Sequence, residues 1–285
     1  MKLAIATSKK KSKYGPIADA LQKSGVVDIV SLADQSNFHE YDHIIVFYNK
    51  VPEIVNRPKG KIAWWMNDLR KPTDLLPLKD YNFDDIFICH KTYDKEYKEF
   101  YKKPLHYMPQ CGHAAPLEKG RKIEWDMVFL GNAKSNRYYH KDRAPFIEKV
   151  GKAVRLKNIT GEGQTKDQHW IYNQSKYSLA MSFPMIEGTS NRLYNILSSG
   201  GFCITKYYPG LEKQFRHGKH LVWFHNAKEC MELIEYYNTH EEERKKIAKA
   251  GHEQYLKKHT AAHRLHNMFD IMMGKETEFR GYINE

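Results

Sequence analysis

No stretch of this 285-residue sequence stays apolar for about 18 residues, so nothing in it reads as a helix that crosses a membrane. The apolar stretch near its start, Leu3-Ala4-Ile5-Ala6, soon gives way to Lys9, Lys10, Lys11 and Lys13 and is too short for the core of a signal peptide. The expectation is a soluble protein that stays in the cytoplasm. Cysteine is scarce. Cys89, Cys111, Cys203 and Cys230 lie far apart with no CxxC pair, which argues against a disulfide framework or a zinc site. Cys89 and Cys203 fall in apolar runs and read as buried thiols. The 15 histidines are scattered, and His259 and His263, one helical turn apart, have no third ligand beside them, so no metal is expected. Internal repeats and low-complexity segments are absent as well. Acids are outnumbered: 34 Asp and Glu face 46 Lys and Arg, a net charge of +12. That excess fits a polyanionic partner, an acidic membrane surface or a basic solvated exterior. Lysine is spread along the whole chain, so composition does not choose among them.

What is present describes a globular protein: 41% hydrophobic and 13% aromatic residues, on a chain long enough for two domains. Short, nearly continuous apolar runs recur at 2–6, 26–32, 43–48 (HIIVFY), 61–66 (KIAWWM), 85–89 and 105–108. Continuous rather than alternating runs are expected of strands covered on both faces, and helix-length spacing between them predicts a mostly parallel α/β sheet. Gly15-Pro16 opens an expected helix that runs to about Lys23. Residues 109–122 (PQCGHAAPLEKGRK) have Pro, Gly and charge but no period, and read as a linker. A second α/β unit follows, with strands expected at 126–130, 153–157, 177–181, 202–205 and 220–224. Its helices are expected at 138–150, 167–174, 227–237, 241–258 and 260–273. The fold class is therefore α/β, with two Rossmann-like domains, 1–120 and 121–285, facing across a cleft at the carboxyl ends of both sheets. The last helix is able to pack back on the first domain. Ligands of such folds bind outside the carboxyl ends of strands.

The richest stretch is 183–205, FPMIEGTSNRLYNILSSGGFCIT. It reads as a polar loop with Glu187 and Gly188, then the good helix N-caps Thr189, Ser190 and Asn191, then a helix with Leu193, Ile196 and Leu197 on one face. Gly200-Gly201 ends that helix. Arg192 stands in the first turn, where unpaired N–H groups and a partial positive charge suit a phosphate or diphosphate.

The second half, roughly 126–269, resembles the nucleotide-sugar-binding domain of GT-B glycosyltransferases. It is most similar to the group-1-type proteins related to spore-maturation glycosyltransferases and their phage relatives. The residues that carry the likeness are Val128-Phe129-Leu130-Gly131-Asn132, the run EGTSNRLYNILSSGG at 187–201, Gly210-Leu211 through Phe215, Glu242-Glu243-Arg244, Gly251, His259-Thr260 and Arg264. In the first half, WWMNDLR and YMPQCGHAAP look like that family's equivalents.

The resemblance implies a UDP-sugar as co-substrate and no required cofactor or metal, in keeping with the lack of a DxD cluster in a likely donor loop. Arg192, Gly131, Asn132 and Arg137 would hold the diphosphate, with Gly188, Thr189, Ser190 and Asn191 around it. Glu187 matches the first acid of the family's E-x7-E pattern. The second acid, which often contacts the ribose hydroxyls, is Asn195 here, a departure that still leaves a hydrogen-bonding group.

Sugar transfer also needs the leaving charge neutralised and the acceptor hydroxyl activated. Arg192, Lys134 and Arg137 suit the first task. Asp68, which follows the tryptophan-rich strand, is the expected base; capping its own turn or pairing with Arg70 is the structural alternative. Expected acceptor contacts are Lys9, Lys10, Lys11, Lys13, Tyr14, Arg70 and His90, with Trp64, Trp65, Tyr48 and His113 also weighed. Four lysines in one loop attract phosphates without reading sequence. An aromatic ring beside them could stack a flipped base, so double-stranded DNA with hydroxymethylated bases is the preferred acceptor, in a host cytoplasm if the protein is phage-encoded. Envelope or capsule polysaccharide on an anionic lipid, with peripheral membrane contact, is the rival. A non-catalytic nucleic-acid-binding protein on a transferase fold is the third reading.

Overall fold

The computed structural model describes residues 1–7, 20–21, 23–47, 51–66, 71, 73, 82–112, 122–133, 142–159, 168–182, 185–188 and 190–283. The chain divides into two compact units. The first holds Met1–Cys111, Ile186–Gly188 and Ala261–Gly281; the second holds Gly112–Met185, Thr189–Thr260 and Tyr282–Glu285.

Unit 1 is built on a six-stranded parallel sheet of β1 (Leu3–Thr7), β2 (Asp28–Ser31), β3 (His43–Val46), β4 (Ile62–Met66), β5 (Asp85–Ile88) and β6 (Leu105–Tyr107) in the order β2-β1-β3-β4-β5-β6. Strands β2 to β6 lie inside the apolar runs that predicted them, and β1 runs one residue past its own, to Thr7. Continuous apolarity is explained by burial on both faces: every residue of β4 is buried, and so is every residue of β5.

Both tryptophans of β4 are core residues, which corrects their weighing as base-stacking groups. Trp64 stacks on Phe83 with ring centroids 5.8 Å apart and meets the edge of Tyr101. Trp65 packs on Phe47, and its indole N–H donates to the Met108 carbonyl at 3.0 Å. Each is 0% exposed, and a tryptophan so buried is worth about 3–5 kcal/mol against alanine.

A helix that the sequence pattern did not reveal, α1 (Asp94–Tyr101, DKEYKEFY), buries Tyr97 and Tyr101 over the face of the sheet that carries Trp64. The expected helix after Gly15 falls mostly outside the described residues; within it Ala20 and Leu21 are buried.

Unit 2 has a five-stranded parallel sheet of β7 (Trp125–Leu130), β8 (Leu156–Ile159), β9 (Ser175–Ala180), β10 (Cys203–Lys206) and β11 (Val222–Phe224), in the order β11-β10-β9-β7-β8. Between them lie α2 (Arg143–Gly151), α3 (Gln168–Asn173) and α4 (Asn191–Ser198), followed by α5 (Ala227–Thr239) and α6 (Glu241–Lys258). Alternate residues of β7 face opposite cores. Met127 and Phe129 pack with Ile147 and Val150 of α2 and Cys230 and Ile234 of α5. Val128 and Leu130 pack with Leu193 and Leu197 of α4 and Tyr255 of α6. Strand β8 starts three residues later than expected, because Ala153 and Val154 still bond back to the Val150 carbonyl as the end of the preceding turn.

The four cysteines are buried and none is in a disulfide. The described part of the expected linker is not loose: Pro109, Cys111 and Gly112 are buried, and Tyr255 donates its hydroxyl to the Gly112 carbonyl at 3.1 Å. In unit 1 the Pro109 carbonyl accepts from Arg264 Nε at 3.0 Å; Arg264 lies on α7 (Ala261–Met272). The tail after α7 is held down as well. Phe279 is buried under the Arg264 guanidinium, and Arg280 pairs with Asp270 and Glu276. Among the described residues no helix is long and apolar enough to cross a membrane.

Several motif residues of the second half turn out to brace this frame. His259 is fully buried with its ring against Phe215 and Tyr194. Arg244 is held by Glu241 and the Lys176 carbonyl. A side chain at Gly251 would collide with the His220 carbonyl.

Candidate active site

In unit 2, β7 is flanked by β8 on one side and β9 on the other, so the sheet's topological switch point lies between β7 and β9. Three pieces of chain converge there: the turn after β7, the end of β9, and the start of α4.

The turn after β7 has an unusual feature. Four successive carbonyls, 129 to 132, are each taken by a side chain from elsewhere. Asn158 Nδ2 donates to the carbonyls of Phe129 and Gly131, both at 3.1 Å. Arg192 Nε donates to Leu130 O at 2.5 Å, and Arg143 Nη1 to Asn132 O at 3.1 Å. The Gly131 N–H donates to Ile159 O. The guanidinium carbons of Arg192 and Arg143 stand 4.6 and 5.7 Å from the centre of the Phe129 ring. The negative ends of these peptide dipoles are thus tied back, and two cations flank the turn. Gly131 is required by this packing: a Cβ there would run into Arg192 Nη2.

The start of α4 is the second component. Ser190 occupies the cap position, but its hydroxyl makes no cap bond to the helix. It accepts from Arg192 Nη1 at 3.2 Å and from Ser182 Oγ at 3.1 Å, while Ser182 Oγ accepts the Ser190 N–H. Arg192 Nη1 also donates to Met181 O at 3.2 Å. Arg192 therefore laces the ends of β7 and β9 to the helix start. Burial lowers its pKa, opposed by nearby Tyr172, and a guanidinium still stays charged in such a place. A helix start whose cap hydroxyl is turned elsewhere, beside a turn with quenched carbonyls, is favourable for an anion.

The remaining expected residues divide. Asn191 begins α4, and Asn195 lies one turn further on, buried, with its Nδ2 on Gln168 Oε1 at 2.8 Å. Glu187 is buried in unit 1 at φ 47°, a left-handed backbone uncommon for a side chain of this size, and pairs with Lys91 at 3.1 Å. Gly188, also in unit 1, is buried.

His90 needs correction as an acceptor contact: it is 0% exposed, with its ring against Tyr93 and Tyr97. Neither ring nitrogen has a partner, and burial pushes its pKa down to about 4. Asp68, Arg70, Lys9, Lys10, Lys11, Lys13, Tyr14, Tyr48, His113, Lys134, Arg137 and Thr189 lie outside the described residues. Among the described residues no group of three His, Cys, Asp or Glu is placed to hold a metal.

Sequence reasoning missed Asn158 and Arg143, and it marked the loops of Ser182 and Lys91 without giving either residue a role. The one available signal was a polar Asn in the short strand β8.

A cavity of about 280 Å³ in unit 2 lies at the opposite, amino-terminal end of β9 and β10, lined by Tyr172, Asn173, Gly201, Phe202 and His252 among others. It is separate from the site just described.

Similarities to known proteins bear on this arrangement. No curated protein matches the chain by sequence. Its fold is similar to T4 phage beta-glucosyltransferase, at TM-score 0.60 and 12% identity over 95% of this chain and 99% of that one. It is similar to Anabaena HepE, solved with UDP and glucose, at 0.59 and 8% over 96% and 100%. It is also similar to an alpha-glucosyltransferase solved with UDP-glucose and DNA containing an abasic site, at 0.67 and 11% over 95% and 98%. These likenesses assign the GT-B fold of two Rossmann-like domains. The model of the glycosyl transferase-like family matches residues 121–270, just over half of the chain. With that match spanning the β7 turn, β9 and α4, the chain belongs to the glycosyl transferase-like family and is a glycosyltransferase.

Proposed function

We propose that the protein transfers a sugar from a nucleotide sugar, a UDP-sugar, to a hydroxyl of hydroxymethylated DNA. The observation that carries the donor reading is the start of α4, its cap hydroxyl turned elsewhere, beside the 129–132 turn, whose carbonyls are all occupied. The diphosphate lies there, held by the N–H groups of Asn191 and Arg192 and by the field of Arg192, with Gly131 and Asn132 leaving room for it. Thr189 and Arg137, by their places in the chain, complete its surroundings. Asn195 meets a hydroxyl of the nucleotide.

In the transfer, the acceptor oxygen bonds to the anomeric carbon as that carbon's bond to the diphosphate oxygen breaks. The hydroxyl proton passes to Asp68 at the end of β4, and UDP leaves with its charge stabilised at α4.

The acceptor reading rests on the net charge of +12, on Lys9, Lys10, Lys11 and Lys13 following β1, and on fold neighbours that are a DNA-modifying enzyme or were solved with DNA.

A thermal-shift panel of UDP, GDP, UDP-glucose, UDP-N-acetylglucosamine and GDP-mannose tests the donor site. A ligand at 100 times its Kd adds about 2.7 kcal/mol, which raises the melting temperature by several degrees. The expected result is a shift with the uridine compounds and little with the guanosine ones. No shift with any of them would favour a non-catalytic protein on the same fold.

A further inference from the structure

Unit 2 carries a run of four aromatic rings at its surface. The centre of the His217 ring is 4.7 Å from that of Trp223, Trp223 is 5.7 Å from Tyr207, and Tyr207 is 5.1 Å from His225. Tyr207 and Trp223 are half-buried against the core on the α4 side of the sheet, and the histidines at the two ends are exposed. Tyr207 follows β10 and Trp223 lies in the middle of β11, so it is strand pairing that brings the rings together.

Strand β11 is at the edge of the sheet, yet its backbone is not open there. The Trp223 N–H donates to His217 Nδ1 at 3.1 Å, and the Leu221 carbonyl accepts from the Gly218 N–H at 2.9 Å. This edge therefore offers a partner side chains, not strand pairing. His217 is an uncharged ring at neutral pH, because Nδ1 accepts that bond and burial, with His225 nearby, lowers its pKa.

The surroundings are basic. Residues 206–229 hold five Lys and Arg against two Glu. Both glutamates are engaged: Glu212 accepts from the Tyr207 hydroxyl and the Gly210 N–H, and Glu229 accepts the His225 N–H. Lys206 adjoins Tyr207, and the exposed Arg216 and Lys219 stand in the loop that holds His217. Rings interleaved with cations suit bases and phosphates together; a neutral sugar needs no cations, and a bare anion needs no rings.

We propose that this face binds an unpaired stretch of DNA, with bases stacked on Trp223 and Tyr207 and phosphates at Lys206, Arg216 and Lys219. The inference deepens the acceptor reading above and rests on it for the choice of DNA as the polyanion. An enzyme that works on a base must open the duplex, which supplies such a stretch. Rings that only closed the edge of the core would hold no strand.

The experiment measures, by fluorescence anisotropy, binding of a strand of about 12 thymidines and of a fully paired duplex of equal length. It compares wild type with Trp223→Leu, Tyr207→Leu and the Arg216→Gln/Lys219→Gln double variant. Leucine keeps an apolar cover over the core and removes the flat ring. Trp223→Leu and Tyr207→Leu should each weaken the single strand by about fivefold or more and the duplex by less than about twofold. The double variant should weaken both and flatten the slope of log K against log salt for the strand by about 1.4, two contacts at about 0.7 each. UDP affinity, unchanged within about twofold, shows that the variants are folded. A strand carrying iodouracil, irradiated on the wild-type protein, should attach to Trp223 or Tyr207, a reading that needs no variant.

Unchanged strand binding in Trp223→Leu, equal losses for strand and duplex, or attachment only outside 207–225 would overturn the proposal. So would heparin binding that falls as far as the strand's in Trp223→Leu, which would make the face one for anionic polysaccharide. Strand binding here without faster UDP release on hydroxymethylated DNA would remove the acceptor reading and leave this inference standing. Faster release with no strand bound here would do the reverse, and a protein that binds no DNA at all would remove both.

Discussion

Replacing Arg192 by methionine should weaken UDP binding about 50-fold or more and destabilise the chain by about 2–4 kcal/mol, from charge-assisted bonds worth about 1.5–3 kcal/mol each. The guanidinium donates to Leu130 O and Met181 O, at the ends of the two strands that flank the switch point, and stacks on Phe129. Methionine fills some of the volume over Phe129 but leaves both carbonyls short of a donor. The Leu130 carbonyl then turns its negative end back toward the site, at the point where a diphosphate needs N–H groups. Arg192 thus acts first on the shape of the turn and second through its charge. Lysine should recover less than half of the lost affinity, because a point charge reaches one of the two carbonyls and cannot bridge both. UDP titration calorimetry with Arg192→Met and Arg192→Lys checks this: a rise in Kd of about 50-fold or more is expected for the first, equivalent to over 2 kcal/mol. DNA binding should survive both changes. Unaltered UDP affinity in Arg192→Met would remove the donor site from this place.

Acidification should destabilise unit 1 through His90. This imidazole is fully buried among Tyr93 and Tyr97 with no hydrogen-bond partner, and burial lowers its pKa from the ordinary 6.5 to about 4. The unfolded chain therefore binds a proton at this residue at a higher pH than the folded chain does. Stability is unaffected by His90 above about pH 6.5, falls as the pH drops from there toward 4, and levels off below. The full loss is about 3 kcal/mol, at 1.36 kcal/mol for each pKa unit. His220 is pushed the same way, to about 4, by burial and by the nearby Lys219 and Arg216, so it adds to the slope from unit 2. Urea unfolding between pH 7.5 and 4.5 measures this, followed in wild type and in His90→Phe. The variant should show a shallower pH dependence by close to one proton, with equal or higher stability at pH 4.5. Parallel pH profiles in the two proteins would mean that His90 does not carry the acid sensitivity.

The sheets were legible because a strand buried on both faces leaves a continuous apolar run: β3, β4 and β5 each lie inside one, and β1 and β7 exceed theirs by one residue. Helix α1 escaped because its buried face is made of tyrosines in a charged sequence, DKEYKEFY, which lacks the aliphatic spacing that marks α4. Trp64 and Trp65 were weighed both as core residues and, at most one of them, as a ligand contact, since they point to opposite faces of a strand. Their burial depends on α1 and on the 108–112 segment, neither of which sequence spacing places over β4.

At the site, the Gly131-Asn132 turn and Ser190-Asn191-Arg192 were legible from strand–loop–helix order, a local pattern. The groups that finish the site were not. Asn158 reaches back across 27 and 29 positions to the turn. Ser190 also illustrates the limit: its type is right for a helix cap, yet Arg192 and Ser182 claim its hydroxyl, and it makes no cap bond to the helix.

The central claim, transfer from a uridine nucleotide sugar, is tested most directly by UDP release. The protein is mixed with UDP-glucose or UDP-N-acetylglucosamine, with and without double-stranded DNA carrying hydroxymethylcytosine, and free UDP is followed with time. Slow release with one sugar in the absence of DNA, and release at least about tenfold faster with the modified DNA, is the predicted result, since a bound acceptor is worth far more than water at the same carbon. No release from either nucleotide sugar, with or without DNA, would contradict it.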